Sequence, residues 1–409
     1  MKRTFNTVII GGGAAGLCAA IVAARKGIQV ILLEQNTRAG KKILVSGNGR
    51  CNITNRHISP VHFHSHNPDF IHEVLTGYGY STVETFFDSI GLVLTEGKEG
   101  KCFPLSYQAS SVTALLEYEA KRAGVKILYD CKVHTVSKEG EDFILETSQG
   151  THRSTMLLIA NGSPAAPQLG GNDSGYAFAA RLGHALVPRH PSLVQLVSEE
   201  KWVKQCAGVK LSGIATLYAN GEYIVQKEGD LLFTNYGISG LAILDLSREV
   251  STRLADFDYC ELSLDLMPAF SKEKLASLLL GRIAKESQKP ISLWLHGVIH
   301  KKLIPVILEH SRIKSQTEGK LHRKEINSLV HTIKNLKLSI SDTKGFQGAE
   351  VSTGGVDTTE VDPQTMASKI TKGLYFAGEV LDVDGDRGGF NFHFAWVSGM
   401  RAGEAMSCK

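Results

Sequence analysis

Gly11-Gly12-Gly13-Ala14-Ala15-Gly16 carries glycine at its first, third and sixth positions. Alone, that spacing is a weak pattern. Here it follows an apolar run of strand type at 7–10 and opens an Ala-rich helical stretch that ends near Arg25-Lys26-Gly27. A second apolar run, 29–33, comes next and is closed by Glu34. In this context Gly11 permits a tight turn. Gly13 leaves room for a pyrophosphate to approach the backbone, and Gly16 lets helix and strand pack closely. The helix start offers free N–H groups and a positive dipole end to phosphate. Glu34 can accept hydrogen bonds from ribose hydroxyls and repels a 2′-phosphate. The chemistry implied is recognition of the adenosine half of FAD or NAD, not NADP. The competing reading is a tight strand–helix turn without a ligand, against which the whole constellation argues.

A flavin lies far from its own adenosine, so distant segments must reach it. Gly373-Leu374-Tyr375-Phe376-Ala377-Gly378-Glu379 reads as a strand ending in a Gly-acid pair, with Glu379 suited to a ribityl hydroxyl. Asp386-Arg387-Gly388-Gly389-Phe390-Asn391 then forms a glycine-rich turn ahead of a helix through Trp396 and Arg401. A helix N-terminus at a flavin pyrimidine edge favours the negative charge of the reduced ring. Only one dinucleotide fingerprint occurs, which argues against a dedicated nicotinamide-binding domain. Lys41, Lys42 and Arg50 are candidates to stabilise anionic cofactor groups; a solvated surface cluster is the alternative. Cys51 beside Arg50 invites a reactive thiol, but with no partner cysteine nearby a packing role is favoured.

The elements that must position these residues alternate. A helix over 111–122, capped by Ser110 or Ser111, precedes a strand at 125–128. A hairpin-like pair, 131–136 and 143–147, leads to a buried strand at 156–160, followed by Asn161-Gly162. This is an α/β pattern with a mostly parallel sheet. After 188–191 come short strand-like pieces, including 213–218, 223–226 and 231–233. From 241 to 344 only Gly281, Gly297 and Gly319 interrupt the chain, and 272–286, 292–310 and 321–335 have helical periodicity. The glycine-rich style resumes near Gly345.

The chain has 409 residues, a net charge of +4, 43% hydrophobic and 21% charged residues. That excludes a disordered or strongly polyionic chain and implies more than one domain. Its 41 glycines follow no collagen period. Seven scattered cysteines, none spaced CxxC, argue against a disulfide framework or zinc ribbon and for a reducing cytoplasm. Met1-Lys2-Arg3 followed by an uncharged stretch imitates a signal peptide, but its glycines suit a strand–turn–helix better. No other apolar run approaches the length needed to span a membrane.

Several longer motifs are also present. They are 38–42 (RAGKK), 46–55 (SGNGRCNITN), 232–240 (LFTNYGISG), 353–356 (TGGV) and 378–391 (GEVLDVDGDRGGFN). On these the chain resembles the BaiN-like, or aminoacetone-oxidase-like, family of FAD-binding enzymes (YhiN-type flavoproteins) over nearly its whole length. The resemblance implies an α/β fold: a Rossmann-like FAD-binding domain formed by both chain ends, with inserted β-barrel-like and helical domains. The expected boundaries are 1–190 and 345–409 for the FAD domain, 191–255 and 332–344 for the β-rich part, and 256–331 for the helical part. It implies that loops 46–52 and 386–392 lie near the flavin. The candidate cofactor set is then Gly11, Gly13, Ala14, Ala15, Gly16, Glu34, Gln35, Lys41, Lys42, Gly47, Gly49, Arg50, Cys51, Asn52, Val133, Ala160, Asn161, Gly162, Gly378, Glu379, Asp386, Gly388, Gly389, Phe390, Asn391 and Phe392. Two departures stand out: Asn48 where the family usually has glycine, and Asn161 where it usually has threonine.

The expected activity is an FAD-dependent oxidoreductase with non-covalent FAD, moving a hydride or electron pair to or from a small organic substrate. The family suggests amine oxidation or reduction of an unsaturated compound, with NADH or NADPH admitted as a transient donor. An RNA-associated flavoenzyme and a non-catalytic flavin sensor are the rivals. A basic run (Lys301, Lys302, Arg312, Lys314, Lys320, Arg323, Lys324) reads more simply as a solvated face, so no nucleic acid partner and no membrane partner is expected. The sequence names no catalytic acid or base and no oligomeric state. His57, His62, His64 and His66 suggest a metal cluster, but nothing completes the site and no metal is expected. His296 and His300 lack the glutamate of a zinc-protease helix. His393 is a possible base, with an ordinary helical histidine favoured.

Overall fold

The structure, a computed structural model, describes residues 4–283, 289–314 and 321–407. Met1, Lys2, Arg3, Glu318, Gly319, Lys320, Cys408 and the end of the 272–286 segment lie outside the described residues. The chain divides into two compact units, Met1–Arg189 with Val351–Lys409, and His190–Glu350.

In the first unit, apolar runs flanked by glycine turns form buried strands. β1 (Thr4–Ile10) leads into helix α1 (Ala14–Arg25), and β2 (Val30–Leu33) follows. Helix α2 (Ala109–Arg122) precedes β3 (Lys126–Leu128). The hairpin β4 (Val133–Glu139) and β5 (Asp142–Thr147) leads into the long β6 (Gly150–Ile159). Near the C-terminus come β7 (Leu374–Phe376) and helix α3 (Phe390–Ala405). Five strands pair in parallel in the order β3, β2, β1, β6, β7, while the first half of β6 pairs antiparallel with β5 and β5 with β4. The serine cap expected for α2 is absent: Gln108 holds the cap position without a side-chain bond, and Ser110 and Ser111 lie inside the first turn.

The register decides where function sits. Ile10 lies opposite both Leu33 and Ile159, Leu33 opposite Leu128, and Ile159 opposite Phe376. The carboxyl ends of all five parallel strands are therefore level. The residues just beyond them leave from one edge of the sheet, where open α/β sheets bind ligands.

Helix α1 is alanine-rich and buried nearly all round, as a central helix should be. Close packing on α3 requires glycine. A Cβ at Gly399 would stand 2.5 Å from the Ala15 carbonyl oxygen, and one at Gly403 would stand 2.7 Å from that of Ala19. Between them Arg401 is buried, and its guanidinium donates to the Glu73, Val74 and Thr76 carbonyls that end the helix Pro68–Leu75. It thereby caps orphan acceptors while supporting α3.

The second unit holds an antiparallel sheet whose long strands are Lys210–Ala219, Glu222–Phe233, Cys260–Asp265 and Leu336–Ile340. The separate pieces expected at 223–226 and 231–233 are one strand. Helices Leu241–Ala255, Lys272–Ile283, Ile304–His310 and Arg323–Lys334 belong to this unit, and its strands and helices share one hydrophobic core. The expected 292–310 helix is interrupted after Gly297, and Pro305 opens its last segment. Among the described residues no helix is long and apolar enough to cross a membrane.

Candidate cofactor and active site

At the level strand ends, the three glycines behave as their spacing requires. Gly11 has φ +105°, and a Cβ there would sit 2.4 Å from the Ala160 carbonyl oxygen. A Cβ on Gly16 would meet the Gly11 carbonyl oxygen at 1.9 Å. Gly13 differs: its Cβ would meet nothing within 4 Å. The first two glycines are demanded by the protein's own packing. The third faces open space at the N-terminus of α1, beside N–H groups that no helical carbonyl can satisfy.

Glu34 is buried and committed to the turn. Its Oε2 accepts the Gly12 N–H at 2.8 Å; its Oε1 accepts the Asn36 N–H at 2.8 Å and the Asn36 side-chain amide at 2.7 Å. Lys41 donates to the Asn36 Oδ1 at 2.7 Å. Asn36 therefore links the acid to the lysine, a role the sequence reading missed. The Gln35 amide donates to the Gly170 carbonyl at 2.6 Å. Val133 is buried in β4, close to Cys131, whose N–H donates to the Glu34 carbonyl at 2.9 Å.

Glu379 lies on the same edge. It pairs with Lys42 at 3.0 Å and accepts from the Ser163 hydroxyl at 2.7 Å and the Ser352 N–H at 3.0 Å. Gly162 and Gly378 both take left-handed φ, +76° and +77°. The Gly378 N–H donates to Ser398 on α3 at 2.9 Å, and a Cβ on Gly378 would stand 2.9 Å from that of Ala15. Both acidic residues, both lysines and three glycine turns are thus brought to one place. The Asn161 amide donates to Ser174 at 3.0 Å, while its Oδ1 is buried without a partner among the described residues.

The 46–52 segment joins the start of α3. Helix Lys41–Gly49 breaks at Ser46, and Gly47 and Asn48 both take left-handed φ, 55° and 56°. Asparagine is the residue that best replaces glycine there, which accounts for Asn48. Gly49 faces open space at φ +79°. The Asn55 amide donates to the Gly388 carbonyl at 3.0 Å, and Trp396 of α3 donates to the Ile53 carbonyl at 2.9 Å. Gly389, at φ +102°, leaves no room for a Cβ against the Thr54 carbonyl at 2.6 Å and Asn52 Oδ1 at 3.0 Å. That Asn52 oxygen is a second buried acceptor without a partner. Asn391 clamps the turn, accepting from the Gly385 N–H at 2.8 Å and donating to its carbonyl at 2.6 Å. Phe392 stacks on Trp396. Arg50 stands apart: it is exposed, bonded to the Gly47 carbonyl, with its guanidinium over the Phe103 ring.

Two reactive-type side chains are disarmed by burial. Cys51 is fully buried at φ 59°, and burial pushes its thiol up to about 12. His393 is also fully buried. Its Nδ1 lies 2.8 Å from the Thr54 hydroxyl and its Nε2 3.0 Å from the Tyr78 carbonyl, and desolvation pushes it down to about 4. It is a neutral structural histidine, not an available base. His62, His64 and His66 pair with carboxylates: Asp386 takes the first two, Asp382 and Asp357 the third. The hydrogen bond to Asp382 raises the His66 pKa. Among the described residues no group of three His, Cys, Asp or Glu is arranged to hold a metal.

These residues suit FAD. The Gly13 cradle opens beside a helix N-terminus, and the buried acceptors of Asn52 and Asn161, without partners among the described residues, fit a group that carries N–H and hydroxyl donors, as a flavin and its ribityl chain do. The chain belongs to the HI0933-like protein Rossmann domain family, matched over residues 5–405. It is 36% identical to a 3-dehydro-bile acid delta(4,6)-reductase of Clostridium scindens, over 97% of this chain and 98% of that one. It is 32% identical to a ribosomal RNA dihydrouridine synthase of Haemophilus influenzae, over 97% of both chains. The fold resembles 3-ketosteroid delta1-dehydrogenase from Sterolibacterium denitrificans, with TM-score 0.54 and 10% identity, covering 99% of this chain and 100% of that one. Fold, site and family define an FAD-dependent oxidoreductase.

Proposed function

We propose that this protein saturates a carbon–carbon double bond conjugated to a carbonyl group. The observation that carries the reading is shared chemistry. A 3-dehydro-bile acid delta(4,6)-reductase and a dihydrouridine synthase, by their names, both add two hydrogens across such a bond, in a steroid ring or in uracil. Bound FAD supplies a centre that takes and gives an electron pair with a hydrogen. The chain does the rest. The α1 N-terminus and Gly13 hold the pyrophosphate, and Glu34, fixed by Gly12 and Asn36, faces the adenosine ribose. Glu379, neutralised by Lys42, holds the ribityl chain, and Asn52, Asn161 and the α3 N-terminus face the flavin ring. NADH or NADPH serves as a transient donor, binding without a dedicated nicotinamide domain.

A 3-oxo-Δ4 steroid-like enone is the first substrate reading, from the 36% relative. A uracil base in ribosomal RNA is the second, favoured by the 32% relative and by the exposed cations Lys301, Lys302, Arg312, Lys314, Arg323 and Lys324 of the helical segment. The deciding experiment is anaerobic. Flavin reduced by NADPH or dithionite is mixed with androst-4-ene-3,17-dione, with an rRNA transcript, or with buffer. Return of the oxidised flavin spectrum with one of the first two supports the proposal and chooses between them. Failure of both, together with direct reduction of oxidised flavin by a primary amine, overturns it in favour of an amine oxidase.

A further inference from the structure

The sequence yields no catalytic acid, and the structure removes His393 and Cys51 from candidacy. It supplies another group. His62 Nδ1 lies 3.1 Å from Asp386 Oδ2, and the His62 ring stacks on Phe390 with centroids 4.2 Å apart and planes 20° apart. Phe390 is the first residue of α3, immediately after Gly388-Gly389. His62 therefore stands one ring away from the helix N-terminus assigned to the flavin. An ionised carboxylate accepts, so Nδ1 carries the proton toward Asp386 and Nε2 is left as the working nitrogen. No partner for Nε2 occurs among the described residues, and the side chain is 34% exposed.

Asp386 is itself held in place. Its N–H donates to the His62 carbonyl at 2.8 Å, and its Oδ1 lies 3.0 Å from His64 Nε2. The strand pairing of Gly385 with Phe63 and of Asp384 with His64 fixes the two segments in register. This is the base-and-orienting-acid arrangement that general acid–base catalysis uses. His64 engages the same carboxylate but lacks the stacking on Phe390 that directs His62 to the helix start.

We propose that His62 is the proton donor of the reaction and that Asp386 is its positioning residue. The assignment rests on the double-bond reduction proposed above. Saturating one C=C bond adds a hydride and a proton. Bound FAD, in its reduced form, would supply the hydride with its electron pair. The proton comes from Nε2–H of the His62 imidazolium: that N–H bond breaks as a C–H bond forms at the carbon beside the carbonyl. Neutral imidazole remains, and water returns the proton.

The test uses full-length holoprotein carrying His62→Gln, His62→Phe or Asp386→Asn. His62→Phe keeps a ring against Phe390 but has no proton to give. Stopped-flow kinetics separate flavin reduction from its reoxidation by whichever of the enone or rRNA oxidises the wild type. Both His62 variants are expected to bind FAD with wild-type affinity, to be reduced at the wild-type rate, and to be reoxidised about 100-fold more slowly. Asp386→Asn is expected to lose less. ¹⁵N NMR of the wild type at alkaline pH, where the imidazole that remains after proton donation is neutral, should show the Nδ1–H tautomer at His62, and the Asp386→Asn spectrum should lose it. Wild-type reoxidation rates in His62→Phe overturn the assignment alone. A wild type that neither substrate reoxidises overturns the function reading and the assignment with it.

Discussion

His393 has both ring nitrogens occupied and no exposure, so it folds uncharged. Desolvation holds its folded pKa at about 4, below the ordinary imidazole value of 6.5, so between those values the unfolded chain binds more protons. Stability therefore rises with pH across that interval, is complete above it, and is lost as pH falls through it. One such group contributes a slope of about 1.4 kcal/mol per pH unit. Urea unfolding at pH 4.5, 5.5 and 6.5 should show that slope in the wild type and its flattening in His393→Gln. An unchanged slope assigns the acid sensitivity elsewhere. Cys51 follows the same logic with opposite sign, because burial keeps it a thiol. Iodoacetamide at pH 8 should leave it unmodified in the native protein and label it in guanidinium. The residue types at both positions were readable, but their availability was not. Burial and partners are set by residues such as Tyr78 and Thr54, remote in the chain.

The glycine turn and α1 form the element most fully written in the sequence. Three glycines with one spacing nevertheless do different work. Gly16 stands against the Gly11 carbonyl, whereas Gly13 faces open space at φ −82°, which any residue adopts. Gly13→Val should therefore fold normally, with an apo melting temperature near wild type, and lose FAD binding about 100-fold or more. Gly16→Val should fail through overpacking, costing about 1–3 kcal/mol or more even without FAD. Equal effects from the two substitutions would refute this division. Helix α3 was legible as a helix after a glycine turn. Its Gly399 and Gly403 were not legible as contacts, because the carbonyls they press against belong to α1, which lies more than 370 residues earlier in the chain.

On the scale of the chain, one compact unit is assembled from Met1–Arg189 and Val351–Lys409, with His190–Glu350 lying between them in sequence. A ligand that binds only the folded state stabilises it by mass action, about 2.7 kcal/mol at one hundred times its dissociation constant. FAD should accordingly slow hydrogen exchange in 11–16 and 46–52 and, at the same saturation, in 378–392. Protection confined to the N-terminal windows would show that the C-terminal turn does not meet the cofactor.

The sequence by itself determined the cofactor class, the strand–turn–helix proposed to receive it and the joining of both chain ends in one unit. Those features depend on local rules: glycine spacing, apolar runs and turn chemistry act over a few residues. Tertiary structure decided which polar groups remain free to act. Parallel register levelled the strand ends, burial silenced His393 and Cys51, and strand pairing carried His62 to Asp386 across 324 positions of sequence. Pairings at that separation leave no periodic trace in the chain, because packing rather than local propensity selects them.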